Sequence, residues 1–328
     1  MSDKEQNSEE LTFSVDIYFS DLLEFKLDEI AEAVNEDFPS LTLKNIFNDQ
    51  DIRKTNEPIA GVLSVEEPSE TSKWITFISA GFPDKENVTV QNLLPQIRAS
   101  YGFQEEAAHA IENHKYYLHI STKPADQSLE TRYVTAKILS AVVSVFAKLP
   151  VTMAIMPIWA SRYVRPQDWV RMTAAAMTNE FPLDGWISYN VGWDPGQTEP
   201  LKYASGMTRG MQHFLDTEVI VQSAPIQPTE VVKQLYGVSY LLLQCGNQFN
   251  DGDTLGIEGS SEAWRIRHNK SDNTSGPDNW VLLHPETTVD EFATFGPRQA
   301  APPPDGQDPV KKEAKPGFLS GLMRKKTH

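Results

Sequence analysis

The chain has 328 residues, 40% of them apolar, and its 29 basic and 45 acidic side chains give a formal net charge of −16. This length accommodates one large or two modest domains with a sizeable core. The acidic balance argues against non-specific binding to nucleic acid, which requires a basic surface. The only cysteine, Cys245, excludes an intrachain disulfide and a four-thiolate zinc site.

The sequence carries no pattern typical of export or of membrane insertion. Residues 1–10 are polar and acidic, without the basic and then apolar segments of a signal peptide. The longest strongly apolar run, Ile138–Ala147, is far shorter than the ~20 residues that cross a bilayer. Together with the low cysteine content, these features predict a soluble cytoplasmic protein.

Periodic patterns divide residues 11–177 into strands and helices. Phe13, Val15, Ile17 and Phe19 alternate with more polar residues, which is typical of a strand with one buried face. The same patterns predict strands at 13–19, 41–47, 59–65, 74–80, 116–120 and 151–158, and helices at 27–34, 105–113, 128–149 and 166–177.

Two neighbouring segments are expected to lie deep in the core. Ser128 is the predicted N-cap of a long helix that Pro150 ends, and this helix is apolar nearly all round from Ile138 to Phe146. The following run, 151–158, is apolar on both sides. A strand with that pattern is expected at the centre of a sheet.

The second half of the chain repeats this mixture. Its clearest helix, 229–244, carries an apolar stripe of Val231, Leu235, Val238 and Leu242. Polar turns rich in Asn, Asp and Gly separate the later strands and predict hairpins. The predicted strands are 186–191, 218–222, 254–257, 263–267 and 280–283.

Strands and helices follow each other without the regular βαβ order of a parallel sheet. The predicted fold class is therefore α+β, with mostly antiparallel sheets and packed helices. Six prolines between Gly296 and Pro316 indicate an extended linker. The predicted segments are a disordered leader at 1–10, a body at 11–295 with possible similar lobes at 11–150 and 185–295 joined by 151–184, a linker at 296–316 and a tail at 317–328.

A glycine-punctuated segment is the best sequence candidate for a small-molecule site. Glycines allow a backbone to approach a phosphate, and Arg209 would pair with it. The segment lacks the Lys-Ser/Thr ending of a P-loop and the spacing of a dinucleotide fingerprint. The alternative is a bend or a tight contact between strand and helix. The candidate ligand-binding residues are Ser205, Gly206, Thr208, Arg209 and Gly210.

The histidines predict no metal site. Glu106, His109 and His114 share one predicted helix, but its two histidines are five residues apart rather than four and therefore point in different directions. An ordinary exposed helix face explains them better. His119 and His213 have no partner recognisable from the sequence, and structural roles are expected for both.

Two further candidates have simpler explanations. With Gly252 at the sixth position of a calcium loop, Glu258 falls at the twelfth, but Asn247 replaces the first aspartate and Phe249 occupies the third position. A tight Asp-Gly turn accounts for the same residues. Cys245 ends an apolar helix, where buried packing is expected rather than nucleophilic chemistry.

The tail differs in charge from the rest of the chain. Residues 311–328 carry six basic side chains and one acidic one, so the first 310 residues carry −21. Apolar residues fall on one face of a short predicted helix beside a basic cluster, a pattern that suits a groove on a partner or an anionic membrane surface. A solvated terminus without a role is the alternative. The docking residues are Phe318, Leu319, Leu322, Met323, Arg324, Lys325 and Lys326.

Segments 203–211 and 250–256, with Phe214 and Glu218, resemble a bacterial family, the domain of unknown function numbered 4261. Its members carry a Thr-x-Gly stretch, a strand with a glutamate, a helix and a Gly-Asp-Thr turn. The order of elements from Phe13 to about Leu283 is also similar. The resemblance implies a cytoplasmic α+β protein with no established activity and no catalytic residues. The matching positions are Thr208-Arg209-Gly210 and Gly252-Asp253-Thr254.

These observations favour a non-enzymatic interaction protein, of the adaptor, chaperone-like or immunity type. Its acidic body would suit a basic protein partner, and its tail would dock. One alternative is a small-molecule-binding enzyme that uses the segment around Arg209. Another is a peripheral membrane protein held by the tail. No catalytic residue, metal or cofactor is predicted, and no nucleic-acid partner is expected.

Overall fold

The structure is a computed structural model. The chain divides into two compact units, 1–288 and 289–328, and all described residues belong to the first. The predicted leader, linker and docking tail lie outside the described residues, so their roles stay predictions. The described residues are 11–21, 23, 25–45, 59–65, 73–81, 105–178, 180–194, 196, 202–246, 249–256, 263–269 and 278–285.

The described residues form strands and helices close to the predicted positions. The helix predicted at 166–177 and the strand predicted at 59–65 have the bounds expected. The strands are β1 Phe13–Phe19, β2 Leu43–Asn45, β3 Ile59–Val65, β4 Lys73–Gly81, β5 Tyr116–Thr122, β6 Thr152–Pro157, β7 Ser188–Trp193, β8 Ala204–Arg209, β9 Thr217–Ala224, β10 Thr254–Leu255, β11 Trp264–Asn269 and β12 Asp278–Leu283. The helices are α1 Leu27–Asp37, α2 Glu105–Asn113, α3 Leu129–Ala147, α4 Pro166–Met177, α5 Leu183–Trp186, α6 Gln212–Leu215 and α7 Pro228–Cys245.

The first sheet has the strand order β2-β3-β4-β5-β1-β6, and its neighbouring strands are antiparallel. The alternation read in β1 decides which face is buried. Phe13, Val15, Ile17 and Phe19 are fully buried in the main core, and α3 packs against their strand. The intervening residues of β1 point to the opposite face of the sheet.

Helix α3 connects the parts of the core. It begins as predicted at Ser128, whose Oγ accepts a hydrogen bond from the backbone nitrogen of Thr131 at 3.2 Å. Midway along α3, the carbonyl of Ser140 accepts from the indole nitrogen of Trp169 at 3.1 Å, and its Oγ accepts from that of Trp186 at 3.0 Å. The buried polar atoms of Ser140 are thus satisfied by two large aromatic side chains. Within the described part of the chain, no helix combines the length and apolarity needed to cross a membrane.

The second sheet has the order β10-β11-β12-β9-β8-β7, and only the β9–β12 pair among its described pairs is parallel. Helix α7 packs against one face of this sheet with the apolar stripe predicted for it. Gly206 makes the approach close, because a Cβ there would lie 2.7 Å from a methyl group of Val231. The glycine therefore serves the tight contact between strand and helix.

The α+β prediction with mostly antiparallel sheets is confirmed. One prediction about position is wrong, because β6 pairs with β1 at the end of the first sheet rather than at its centre. Its apolar residues are nevertheless buried, since Ile155 belongs to the main core while Ala154 and Met156 pack in a smaller cluster with Tyr18 and Ala110. Burial on both faces is thus possible at a sheet edge when helices cover it. The domain boundaries stay predictions.

Candidate functional site on the second sheet

The predicted ligand segment is a strand and not a loop. Ala204–Arg209 forms β8, between β7 and β9, because its residues alternate between buried and half-buried positions. Gly206 and Thr208 are buried and point away from solvent, and Ser205 Oγ already accepts from the backbone nitrogen of Ser223 at 2.8 Å. The segment therefore cannot wrap a phosphate with its backbone. Of the five candidate residues, Arg209 keeps an unsatisfied polar side chain.

A buried carboxylate organises the end of this strand. Glu218, in β9, is 5% exposed and accepts hydrogen bonds from Thr208 Oγ1 at 2.6 Å and from the backbone nitrogens of Gly210 and Gln212 at 2.8 and 3.3 Å. Thr208 Oγ1 in turn accepts from the backbone nitrogen of Val219 at 2.8 Å. One side chain thus closes the turn between β8 and α6.

Burial raises the pKa of Glu218 from its ordinary value of 4.5 to about 7. The hydrogen bonds from Thr208, Gly210 and Gln212 act in the opposite direction, because they stabilise the carboxylate. The geometry suits the ionised form and the burial suits the neutral form. Glu218 is therefore a structural carboxyl group that titrates near neutral pH.

The pKa of His213, in α6, is shifted downward, whereas that of Glu218 is shifted upward. Its ring lies 5.6 Å from the ring of Phe13 and 6.4 Å from that of Trp159, between centroids. Burial lowers the pKa of His213 from 6.5 to about 4, and the nearby charge of Arg132 lowers it further. Its buried Nδ1 has no hydrogen-bond partner among the described residues, so protonation there would bury an unpaired donor.

These two groups predict opposite pH dependences of stability. Below pH 6.5 the unfolded chain protonates His213 and the folded chain does not until about pH 4, so His213 makes stability rise with pH across that window. Between pH 4.5 and about 7 the folded chain keeps a proton on Glu218 that the unfolded chain loses, so stability falls as pH rises. Each contribution is at most about 3 kcal/mol.

Urea unfolding at several pH values separates the contribution of His213 to stability from that of Glu218. The His213→Gln variant is expected to lose stability from pH 4.5 to 7 more steeply than the wild type, because only the Glu218 contribution remains. The Glu218→Gln variant is expected to gain stability from pH 4 to 6.5 more steeply than the wild type, because only the His213 contribution remains. Parallel curves for all three proteins would show that neither group titrates as described.

Arg209 is the unsatisfied group at this end of the sheet. It is half-buried, and its Nε is shielded from solvent without a hydrogen-bond partner among the described residues. The Oδ1 of Asn190 in β7 is likewise shielded from solvent and has no hydrogen-bond partner among the described residues. Because Ser188 pairs with Arg209 and Asn190 with Met207, Asn190 and Arg209 are diagonal neighbours on one side of the sheet.

That side, opposite α7, is called the outer face below. A row of paired positions crosses it, from Asn190 through Met207, Ile220 and Val281 to Arg267. Met207 and Ile220 are half-buried, Val281 is buried, and none of the three belongs to the core clusters found among the described residues. The outer face therefore carries an apolar strip of its own.

Arginines border this strip. Arg209 lies beside it on β8, and on β11 Arg265 pairs with Leu283 while Arg267 pairs with Val281. Arg265 is exposed, and the Nε of Arg267 lies 3.2 Å from a carboxylate oxygen of Asp251. A protein with a net charge of −16 thus concentrates arginines around one apolar strip. Local charge of this kind decides which partner is attracted.

Comparison with known proteins covers the same sheet. Residues 207–283 match the family model described as Domain of unknown function (DUF4261). The match covers less than a quarter of the chain. The predicted resemblance is confirmed over β8 to β12, and the match does not extend to the elements before Met207. The matched segment contains Thr208, Gly210 and Glu218, which the fold joins in one hydrogen-bonded network.

The other comparisons add little. Among curated proteins, none matches this chain. A solved structure described as a homologue of SUFU, the suppressor of fused protein, from Neisseria gonorrhoeae FA 1090 aligns with 18% identity over 34% of this chain and 72% of that one. Its TM-score is 0.24, which is too low to support an argument about fold or function.

A histidine–aspartate pair in the first sheet was not expected from the sequence. Asp16 and His119 face each other across β1 and β5, and Nδ1 of the histidine lies 2.7 Å from Oδ1 of the aspartate. The aspartate orients the ring, as in general-base catalysis, but a base also needs a nucleophile within reach. Among the described residues, none is hydrogen-bonded to the other ring nitrogen of His119. The pair alone therefore supports no reaction.

The remaining sequence candidates keep structural explanations. Among the described residues, no group of three or more His, Cys, Asp or Glu side chains could hold a metal ion. The predicted Asp-Gly turn is present, with Asp253 accepting from the backbone nitrogen of Asn250 at 2.7 Å and Gly252 at φ +94°. Asn247 and Glu258 lie outside the described residues. The expectation that Cys245 is buried is wrong, because it is exposed at the last position of α7.

A shallow groove lies where α2, the end of α3 and the start of α4 meet, with a volume of about 700 Å³. Lys148 and Arg165 line it, but both cations have acidic partners nearby. Lys148 bonds to Asp37 at 2.5 Å and Arg165 to Asp168 at 2.7 Å. The groove therefore offers less unpaired charge than the outer face.

Proposed function

We propose that this protein acts by binding a partner protein through the outer face of its second sheet, and not by catalysing a reaction. The observation that carries the proposal is the apolar strip bordered by arginines, in which Met207 and Ile220 are partly exposed and Val281 is the buried end. Apolar centres with charged or polar rims are the usual anatomy of protein interfaces, and arginine is enriched in them.

The partner segment that fits this surface is both apolar and acidic. Side chains such as leucine would cover the strip, and carboxylates would meet Arg209, Arg265 and the rim around them. The basic partner expected from the net charge would have to bind elsewhere, on acidic surface. Because charges interact over about 8 Å in physiological salt, the local arginines outweigh the charge of distant parts of the chain.

The wider role is that of a bacterial cytoplasmic adaptor, chaperone-like factor or immunity-type inhibitor. Its tail, 317–328, would provide a second docking element or hold the protein at a membrane surface. Both parts remain expectations from the sequence. They are separable from the outer face, because a chain that ends at Phe295 keeps every described residue.

A charge reversal on the rim tests the proposal. The probe is a nonapeptide of alternating leucine and glutamate with a fluorescent label, and the measurement is its Kd by fluorescence anisotropy. Arg265→Glu is expected to weaken binding about tenfold or more, since an attractive contact becomes repulsive. Arg265 is exposed, so the melting temperature should stay close to that of the wild type.

Two matched variants complete the test. Arg171→Glu reverses an exposed arginine on α4 and should leave the Kd unchanged once salt is present. Ile220→Thr keeps the β-branched shape but removes apolar surface from the strip, and should also weaken binding. If Arg171→Glu and Arg265→Glu weaken the peptide equally, attraction is non-specific and the proposed surface is wrong.

A further inference from the structure

The unsatisfied polar atoms at one end of the outer face suggest what the partner must supply, provided that the proposed docking function holds. The Nε of Arg209 is a buried donor without an acceptor, and the Oδ1 of Asn190 is a buried acceptor without a donor, among the residues that the structure describes. Unpaired buried polar groups cost free energy and are rare in folded proteins. Both residues are only half-buried, so a rotation of each side chain toward solvent brings these atoms within reach of a ligand, and a ligand that satisfies both would remove that cost on binding.

We propose that Arg209 binds a side-chain carboxylate of the partner while Asn190 accepts a hydrogen bond from the partner's backbone N–H. Arginine suits the first role because its planar guanidinium matches the geometry of a carboxylate. The two residues are diagonal neighbours on adjacent strands, a spacing of about 7–8 Å. A single extended acidic residue presents a carboxylate and a backbone amide over such a distance.

The combination favours a peptide over a free anion. An inorganic anion would satisfy the Arg209 donor and leave the Asn190 acceptor unpaired. The apolar strip also favours an occupant with apolar side chains, because it begins at Met207, which pairs with Asn190 and lies two residues from Arg209 on the same strand. Arg209 was the cationic member of the ligand site predicted from the sequence, and its expected ligand changes from a phosphate to a carboxylate.

A double-mutant cycle tests the pairing. Each glutamate of the leucine–glutamate nonapeptide is replaced in turn by glutamine, and every peptide is titrated against the wild type and against Arg209→Gln. One glutamate should be coupled to Arg209: removing either partner weakens binding about 10- to 100-fold, and removing both weakens it no further. The other positions should add independently.

Three variants distinguish recognition from general attraction. Arg209→Lys keeps the charge but lacks Nε, so it should restore only part of the affinity. Asn190→Ala should weaken all peptides by the same factor, because it loses a backbone contact. Arg171→Gln should change none of them. A melting-temperature measurement on each variant establishes that it is folded.

The outcomes separate this inference from the proposed function. If the peptide binds the wild type and Arg265→Glu weakens it, but all its glutamates act additively with Arg209→Gln, then the outer face docks a partner and the carboxylate assignment is wrong. If no peptide binds the wild type, both are overturned. If free acetate or phosphate competes at Arg209 as well as the peptide does, the site binds anions and the role of Asn190 is wrong.

Discussion

Replacing Glu218 by alanine is expected to lower the free energy of unfolding by about 3–5 kcal/mol, a large part of the total stability of a domain. The change removes one acceptor for three donors, Thr208 Oγ1 and the backbone nitrogens of Gly210 and Gln212. Because Glu218 is only 5% exposed, water cannot easily replace the lost carboxylate. Chemical denaturation at pH 7.5, followed by tryptophan fluorescence, measures the loss.

Two other glutamate changes serve as references. Glu218→Gln keeps one acceptor oxygen and the shape of the side chain, and it removes the cost of burying a charge, so a smaller loss of about 1 kcal/mol is expected. Glu32→Ala, at an exposed position of α1, should change the free energy of unfolding by less than about 0.5 kcal/mol. If Glu218→Ala costs no more than Glu32→Ala, the network does not stabilise the turn.

Periodicity predicted the elements because each depends mainly on nearby residues. The alternation in β1 and the stripe on α7 reflect burial of one face, which the sequence displays directly. Ser128 and Pro150 bracketed α3 for local reasons as well, since capping and the loss of a backbone donor involve only adjacent turns. These parts of the fold required no knowledge of the partner strands.

The position of elements in the sheets was harder to predict. A run that is apolar on both sides indicates burial on both sides, but it does not distinguish a central strand from an edge strand covered by helices, which is the case for β6. Strand β9 pairs in parallel with β12, although α7, β10 and β11 lie between them along the chain. Such choices depend on packing between distant segments.

The candidate site was predicted only in part, because it too depends on contacts between distant segments. Arg209 was singled out because of its glycine neighbours, whereas its unpaired state follows from the surrounding strands. Asp16 and His119 are 103 residues apart, and only the register of β1 with β5 makes them partners. Both occupy the polar phase of an alternating strand. That phase is a usable signal only when the pairing register is known.

The apolar strip could not be predicted from the sequence, because its residues are far apart along the chain. Met207, Ile220 and Val281 lie in three different strands, each of which has a second, more buried set of residues on the opposite face. Their alignment in one row is a property of the sheet. The arginines beside them are unremarkable in the sequence, because each is surrounded along the chain by residues that point to the opposite face.

The second large effect is expected at Gly210, where alanine should lower the free energy of unfolding by about 3 kcal/mol or more. Gly210 has φ +107°, a conformation that residues other than glycine rarely adopt. A Cβ there would also lie 2.5 Å from the backbone oxygen of Trp186. That oxygen accepts a hydrogen bond from the indole nitrogen of Trp159 at 3.0 Å, so it cannot move without disturbing a second contact. Urea unfolding of the variant beside the wild type measures the loss.

Gly237 provides the matched control, because its effect should have the opposite sign. It lies within α7, and the position that an alanine methyl group would occupy there is open space, so Gly237→Ala should raise stability by about 0.5–1 kcal/mol through helix propensity. Gly206→Ala should also lower stability, since a Cβ there would lie 2.5 Å from a methyl group of Val191 and 2.7 Å from one of Val231. If Gly210→Ala costs less than about 0.5 kcal/mol, neither the backbone conformation of Gly210 nor the close approach of Trp186 constrains the turn.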